Sequence, residues 1–231
     1  MNNYINKYKN IYMTMIITFL FSFIDHGFKW FNHIPNHDSI GFALWPMQDF
    51  IISLGRFIQG IHKVFIGNIV SPVIQGIFVS IFVSLTVYYI MKIFTIKKFN
   101  IVILLMGIFS TCTTLTYWEG IYGDTSAMYV CAVFLSTYAV ALIVNNDNNF
   151  SVLLAVLCLV CSMGMYQSHV IFSLCLLYIL FFKKILERKD FDYFLLKKAI
   201  LLFILGLLIY FLVVKIVLIC TGSDSFICMC I

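Results

Sequence analysis

The residues able to do chemistry collect in a few places. Asp38 lies in a polar stretch with His33 and His37, and Asp49 and Arg56 follow it. Glu119 and Asp124 bracket a short Gly-containing turn, and His169 interrupts an otherwise apolar run. A carboxylate held against a hydroxyl group can act as a general base, which makes Asp38, Asp124 and Glu119 the catalytic candidates. Arg56 carries a planar fork of donors that matches a phosphate, and His37 and Asp49 are further candidates for substrate contact. Each residue also has a purely structural use. Asp38 reads equally as a solvated loop residue. Arg56 reads as an anchor at a lipid headgroup. Glu119 and Asp124 read as helix caps, with Asp124-Thr125-Ser126 a good helix start.

Metal chemistry is weakly indicated. His33, His37 and Asp38 leave a divalent cation open, but their spacing is not diagnostic. Cys158 and Cys161 form a CxxC inside a hydrophobic helix with no further ligands nearby, and read as small buried hydrophobes. No cofactor is expected.

The elements that must position these groups are membrane helices. Of 231 residues, 62% are hydrophobic and 11% charged, and the mean hydropathy is +1.01. Soluble domains carry roughly a quarter charged residues, so a soluble enzyme is excluded, as is a disordered tail. The 15 Lys and Arg are scattered along the chain, so no nucleic-acid partner is expected. With about 20 apolar residues per crossing, the chain reads as an all-α polytopic protein of about seven spans, one transmembrane domain over 1–231. Helices are expected near 10–28, 70–91, 99–118, 125–144 and 199–220. The run 150–182 is too long for one straight span and reads as two short helices, or a crossing with a re-entrant segment, meeting at Gly164–His169. Within a long polar loop over 29–70, residues 47–66 show one apolar and one charged stripe, as expected of a helix lying flat in the interface. A second, basic loop is expected over 183–198.

Charge sets an expected orientation. With a cytoplasmic N-terminus, eleven basic residues fall inside and three (Lys29, Arg56 and Lys63) outside, with Lys215 in a span. Asp38, Arg56, Glu119, Asp124 and His169 then share the outer, periplasmic side of an inner membrane. Carboxylates and an Arg beside an interfacial helix suit a reaction on a lipid-linked phosphate.

Several segments, in order, resemble the integral-membrane glucosyltransferases that convert bacterial O-antigen serotype, the phage-type family. These are Trp30–Ile40, Ser53-Leu54-Gly55-Arg56-Phe57, Ser71-Pro72, Tyr117–Tyr129 and Gly164-Met165-Tyr166-Gln167-Ser168. The resemblance implies a GT-C-like membrane fold, a polyprenyl-phosphate-linked glucose as donor, and a lipid-linked or surface polysaccharide as acceptor. Membrane lipids would be the other partners. It implies Asp38 as base, Arg56 as phosphate ligand, and Tyr166 and Gln167 as residues shaping the site. Members of that family are usually much longer, so it also implies a truncated member. The competing function is a non-enzymatic transporter or flippase subunit for glycan precursors, since ionisable groups in spans mark pathways. An acyltransferase or polymerase using His33, His37 or His169 is a third.

Overall fold

Length and apolarity decide which helices can cross a bilayer. The computed structural model describes residues 2–32, 48–66, 71–121, 125–145, 148–187 and 192–222. Among these the regular structure is helical throughout. Six stretches are long and apolar enough to span: Ile11–Phe31, Pro72–Phe94, Phe99–Gly120, Ser126–Asn145, Gln167–Leu186 and Tyr193–Thr221. A shorter apolar helix covers Asn149–Met165. The chain is thus an all-helical, multi-pass membrane protein of about seven spans.

In chain order the helices are α1 (Asn2–Phe31), α2 (Gln48–Ser53), α3 (Phe57–Ile66), α4 (Pro72–Phe94), α5 (Phe99–Ser110) and α6 (Thr113–Ile121). Then follow α7 (Ser126–Asn145), α8 (Asn149–Met165), α9 (Val170–Leu186) and α10 (Tyr193–Thr221). The chain divides into two compact units, one of Met1–Trp45 and Asn68–Phe134, the other of Pro46–Gly67 and Leu135–Ile231. The division falls within α7.

In the first unit α1 packs on α4 and α5. Its buried stripe is Thr14, Thr18, Ser22, His26 and Trp30, spaced by four. The matching stripe of α4 is Gly76, Ser80 and Ser84, also spaced by four. Small residues let helix backbones approach closely where lipid supplies no hydrophobic drive. Trp30 lies over Gly76 so tightly that a Cβ there would overlap its indole ring. Ser80 and Ser84 donate to the carbonyls one turn back, so their hydroxyls are satisfied within the helix. Val79, Val83, Val87, Val102, Met106 and Leu115 form the apolar core beside this seam.

The second unit is built on α8. Helix α10 lies along it, with Gly206 allowing a Cβ position 3.4 Å from Leu159 Cβ. Helix α9 follows α8 after a single 3-10 turn, Gln167–His169, and touches it. The two-helix reading of 150–182 therefore holds. A hydroxyl knot fixes the junction. Ser136 Oγ donates to the His169 carbonyl (3.0 Å), and Ser162 Oγ meets Ser136 Oγ at 2.8 Å. Ser173 Oγ donates to the Ser136 carbonyl at 3.3 Å.

Two expectations change. The amphipathic segment 47–66 is two helices, because Gly55 (φ 80°) stops α2. Gly55 N–H donates to Ile52 C=O (2.8 Å) and Arg56 N–H to Ile51 C=O (3.2 Å), the paired bonds of a left-handed helix C-cap. Ile51, Ile52, Phe57 and Gln59 are buried, so this segment packs into the unit rather than only lying on a membrane surface. The described residues of the basic stretch 183–198 are also largely helical. Lys183 and Lys184 finish α9, and Lys197 and Lys198 lie in the first turns of α10, as suits a residue with good helix propensity.

Asp192 is what starts α10 so early. Its side chain accepts from the N–H of Leu195 (2.9 Å) and faces Lys184 at 3.3 Å. The Leu195 bond, aided by Lys184, holds the Asp192 carboxyl below its ordinary 3.8. The capping contribution is therefore complete well above pH 3.8 and is lost as pH falls through the depressed value. Asp192→Ala is expected to cost about 1 kcal/mol near neutrality. In thermal unfolding of the detergent-solubilised protein, the gap from wild type should close as the pH is taken below 3.8.

Candidate functional site

Two of the sequence elements that carry chemistry come together in the second unit. The break after Gly55 turns the chain so that Arg56 precedes α3, with its carbonyl accepting from Gly60 N–H (2.9 Å). The break after Met165 does the same for Tyr166 and Gln167, with Tyr166 extended (φ −159°). The Arg56 guanidinium carbon then lies 4.4 Å from the centre of the Tyr166 ring. This cation–π contact orders the cation without neutralising it. Arg56 Nε is buried and makes no hydrogen bond among the described residues, and neither does Gln59 Oε1, one turn along α3.

Gln167 clamps the two turns together. Its amide Nε2 donates to the Leu54 carbonyl and to Tyr210 Oη (3.0 Å). Tyr210 Oη in turn donates to the Gly55 carbonyl at 3.2 Å. The Leu54 and Gly55 carbonyls at the α2 terminus are thereby satisfied, as low-dielectric surroundings demand. The Phe57 ring packs on Tyr210, with centroids 6.3 Å apart, and against Gly164. A Cβ on Gly164 would sit 2.5 Å from Phe57 Cζ, so only glycine admits this approach. His169 is buried with its ring centroid 5.0 Å from that of Tyr166. His62 in α3 is pushed below its ordinary 6.5 by burial and then by Lys63, and is neutral at pH 7.

The remaining candidates fall elsewhere. Asp49 is exposed in the first turn of α2, where a carboxylate suits the positive helix end. Asp38, His37 and Asp124 lie outside the described residues, as does His33. Glu119 belongs to the first unit. It is buried, with Oε2 3.2 Å from His26 Nδ1. His26 Nε2 donates to the Ser110 carbonyl (3.0 Å) and faces Asp25 Oδ2 at 3.3 Å. With Nε2–H given to a carbonyl, Nδ1 is the nitrogen left to meet the carboxyl group. Helix capping is therefore not what Glu119 does; it pairs across to α1. Among the described residues no group of three His, Cys, Asp or Glu side chains could hold a metal ion.

The chain matches the family described as Glucosyl transferase GtrII over residues 27–225. It belongs to that family. No curated protein and no solved structure matches it. The GtrII match spans the α2–α3 break, the Gly164–His169 junction and Tyr210, and so takes in the whole of the clamp. Sequence reasoning paired Arg56 with Tyr166 and Gln167 but missed Tyr210, His26 and the hydroxyl knot. Tyr210 had a signal, since Ala199, Phe203, Gly206, Tyr210 and Val214 mark one buried face of α10.

Gly164→Ala should lower stability by about 1–3 kcal/mol through overpacking on Phe57. Gly120→Ala, with open space around it, should be neutral or slightly stabilising. Thermal unfolding in detergent compares the two. His26→Ala strands a buried carboxyl group, and a loss of about 3 kcal/mol is expected. Adding Glu119→Gln should recover part of it, and a double variant no better than the single would refute the pairing.

Proposed function

We propose that this glucosyltransferase-family chain moves a glucosyl residue from a polyprenyl-phosphate carrier to a lipid-linked or surface polysaccharide such as O-antigen. The observation that carries this reading is the Arg56–Tyr166 pair, a half-buried cation held by an aromatic ring in the second unit of a GtrII-family membrane protein. A leaving phosphate needs a fixed, unneutralised cation. Asp38, as base, takes the proton from an acceptor hydroxyl whose oxygen attacks the anomeric carbon. The bond from that carbon to the phosphate oxygen breaks, and the polyprenyl phosphate leaves with the electron pair, its charge met by Arg56. Gln167 and Tyr210 are positioning residues, holding the Leu54–Gly55 turn from which Arg56 projects. The sequence carries no Gly-rich phosphate loop of the nucleotide-binding kind, in keeping with a lipid-linked donor. The positive-inside distribution supports a periplasmic Arg56 at the inner membrane, where a sugar on a lipid carrier is accessible.

The test is transfer in membranes supplied with polyprenyl-phosphate glucose and a lipid-linked glycan. Arg56→Ala and Asp38→Ala should each abolish transfer. Arg56→Lys keeps the charge but loses the fork, and about a 100-fold fall in kcat is expected. Transfer that survived both alanine changes would refute the assignment.

A further inference from the structure

Helix α10 lies along α8, α9 touches it, and residues of α9 and α10 together line a groove of about 710 Å³. That volume is in the range, roughly 300–1,000 Å³, of sites that bury small ligands. Its walls are aliphatic and aromatic, among them Val170, Leu174, Tyr178, Ile200, Ile204 and Leu207. Along α9 it runs from Val170 to Ile185, a length of about 22 Å at about 1.5 Å per helical residue. Its two ends differ. At one, Val170 directly follows the Gln167–His169 turn, and Leu207 lies one helical turn before Tyr210. This end of the groove thus follows directly, along both helices, from the two segments that form the clamp, Gln167–His169 and the turn of α10 that bears Tyr210. At the other, Ile185 and Leu196 border the Lys184–Asp192 pair.

We propose that the α9–α10 groove holds the isoprenoid chain of the lipid-linked donor, running away from a phosphate seated at Arg56. The proposal rests on the donor reading given above. An occupant must be apolar for the length of the groove and anionic at the clamp end. A long-chain lipid phosphate meets both demands. A transmembrane helix of a partner meets only the first, and carries no phosphate to Arg56. A two-chain phospholipid would place only one of its chains in the groove.

The experiment uses the full chain in nanodiscs, with glucosyl phosphate carried on either a long polyprenyl chain or a short geranyl chain. Wild type should show a KM about tenfold lower for the long-chain donor, and Ile185→Trp or Ile200→Trp, in the part of the groove that a geranyl chain does not reach, should erase that advantage without moving the geranyl KM. Both side chains are about half exposed (56% and 51%), so filling the groove there leaves the core intact. A polyprenyl phosphate with a photoreactive group in its chain should label peptides from α9 and α10 of the wild type. Polyprenyl phosphate should compete that labelling and phosphatidylglycerol should not. Equal competition by phosphatidylglycerol would make the groove a site for ordinary membrane lipid and overturn the proposal. A KM indifferent to chain length would overturn it while leaving the lipid-linked donor in place. Transfer from a nucleotide sugar, with none from either lipid-linked donor, would overturn the donor reading and the groove together.

Discussion

The second unit depends on how two backbone carbonyls are satisfied. Leu54 and Gly55 end a six-residue helix in surroundings where water is scarce, and an unpaired carbonyl there is costly. The Gln167 amide and the Tyr210 hydroxyl supply the missing donors from two other segments of the chain. One short network thus fixes the α2–α3 break, the α8–α9 junction and the rotation of α10 about its axis. Because Gln167 spends both amide hydrogens in it, the turn that carries Tyr166 has little freedom. Arg56, one residue past the cap, inherits that rigidity.

The first unit meets the same constraint differently. Its buried polar groups are mostly small hydroxyls, and those of Ser80, Ser84 and Thr86 donate to carbonyls of their own helix. His26 and Glu119 are the exception, a charged-type pair held between α1 and α6 with Ser110 as a third partner. A buried pair of this kind adds little net stability, but removing one member is expensive. It therefore fixes which faces of α1 and α6 meet.

Much of this was legible in the sequence, and the reasons for the rest are physical. Apolar runs gave the helices, and the polar interruption at Gly164–His169 gave the paired short helices. The family resemblance joins Arg56 to Tyr166 and Gln167 as residues of one site. The break at Gly55 escaped because hydrophobic periodicity continues across it from Ile51 to Phe65. A helix-ending glycine changes the direction of the chain, not the spacing of its apolar residues. The role of Glu119 escaped because its partner is 93 positions away in sequence and pairs through a side chain that reads locally as part of a polar helix end. Asp192 escaped because a run of six basic residues suggested a solvated loop, whereas long lysine stems extend helices readily.

The choice of aromatic ring over carboxylate as the neighbour of Arg56 follows from what a phosphate site has to do. A carboxylate would hold the guanidinium firmly, but would also cancel its charge and compete with any anion that arrived. A tyrosine face attracts the cation through its quadrupole and leaves the edge of the guanidinium, with its N–H donors, available. Among the described residues no carboxylate is ion-paired with Arg56, and its Nε remains a buried donor without a partner. Gly164 belongs to the same logic. A methyl group there would displace Phe57, the residue that follows Arg56, and with it the packing on Tyr210. Among the described residues, Arg56 is thus ordered by groups that bear no charge, and its cation is not spent on a carboxylate.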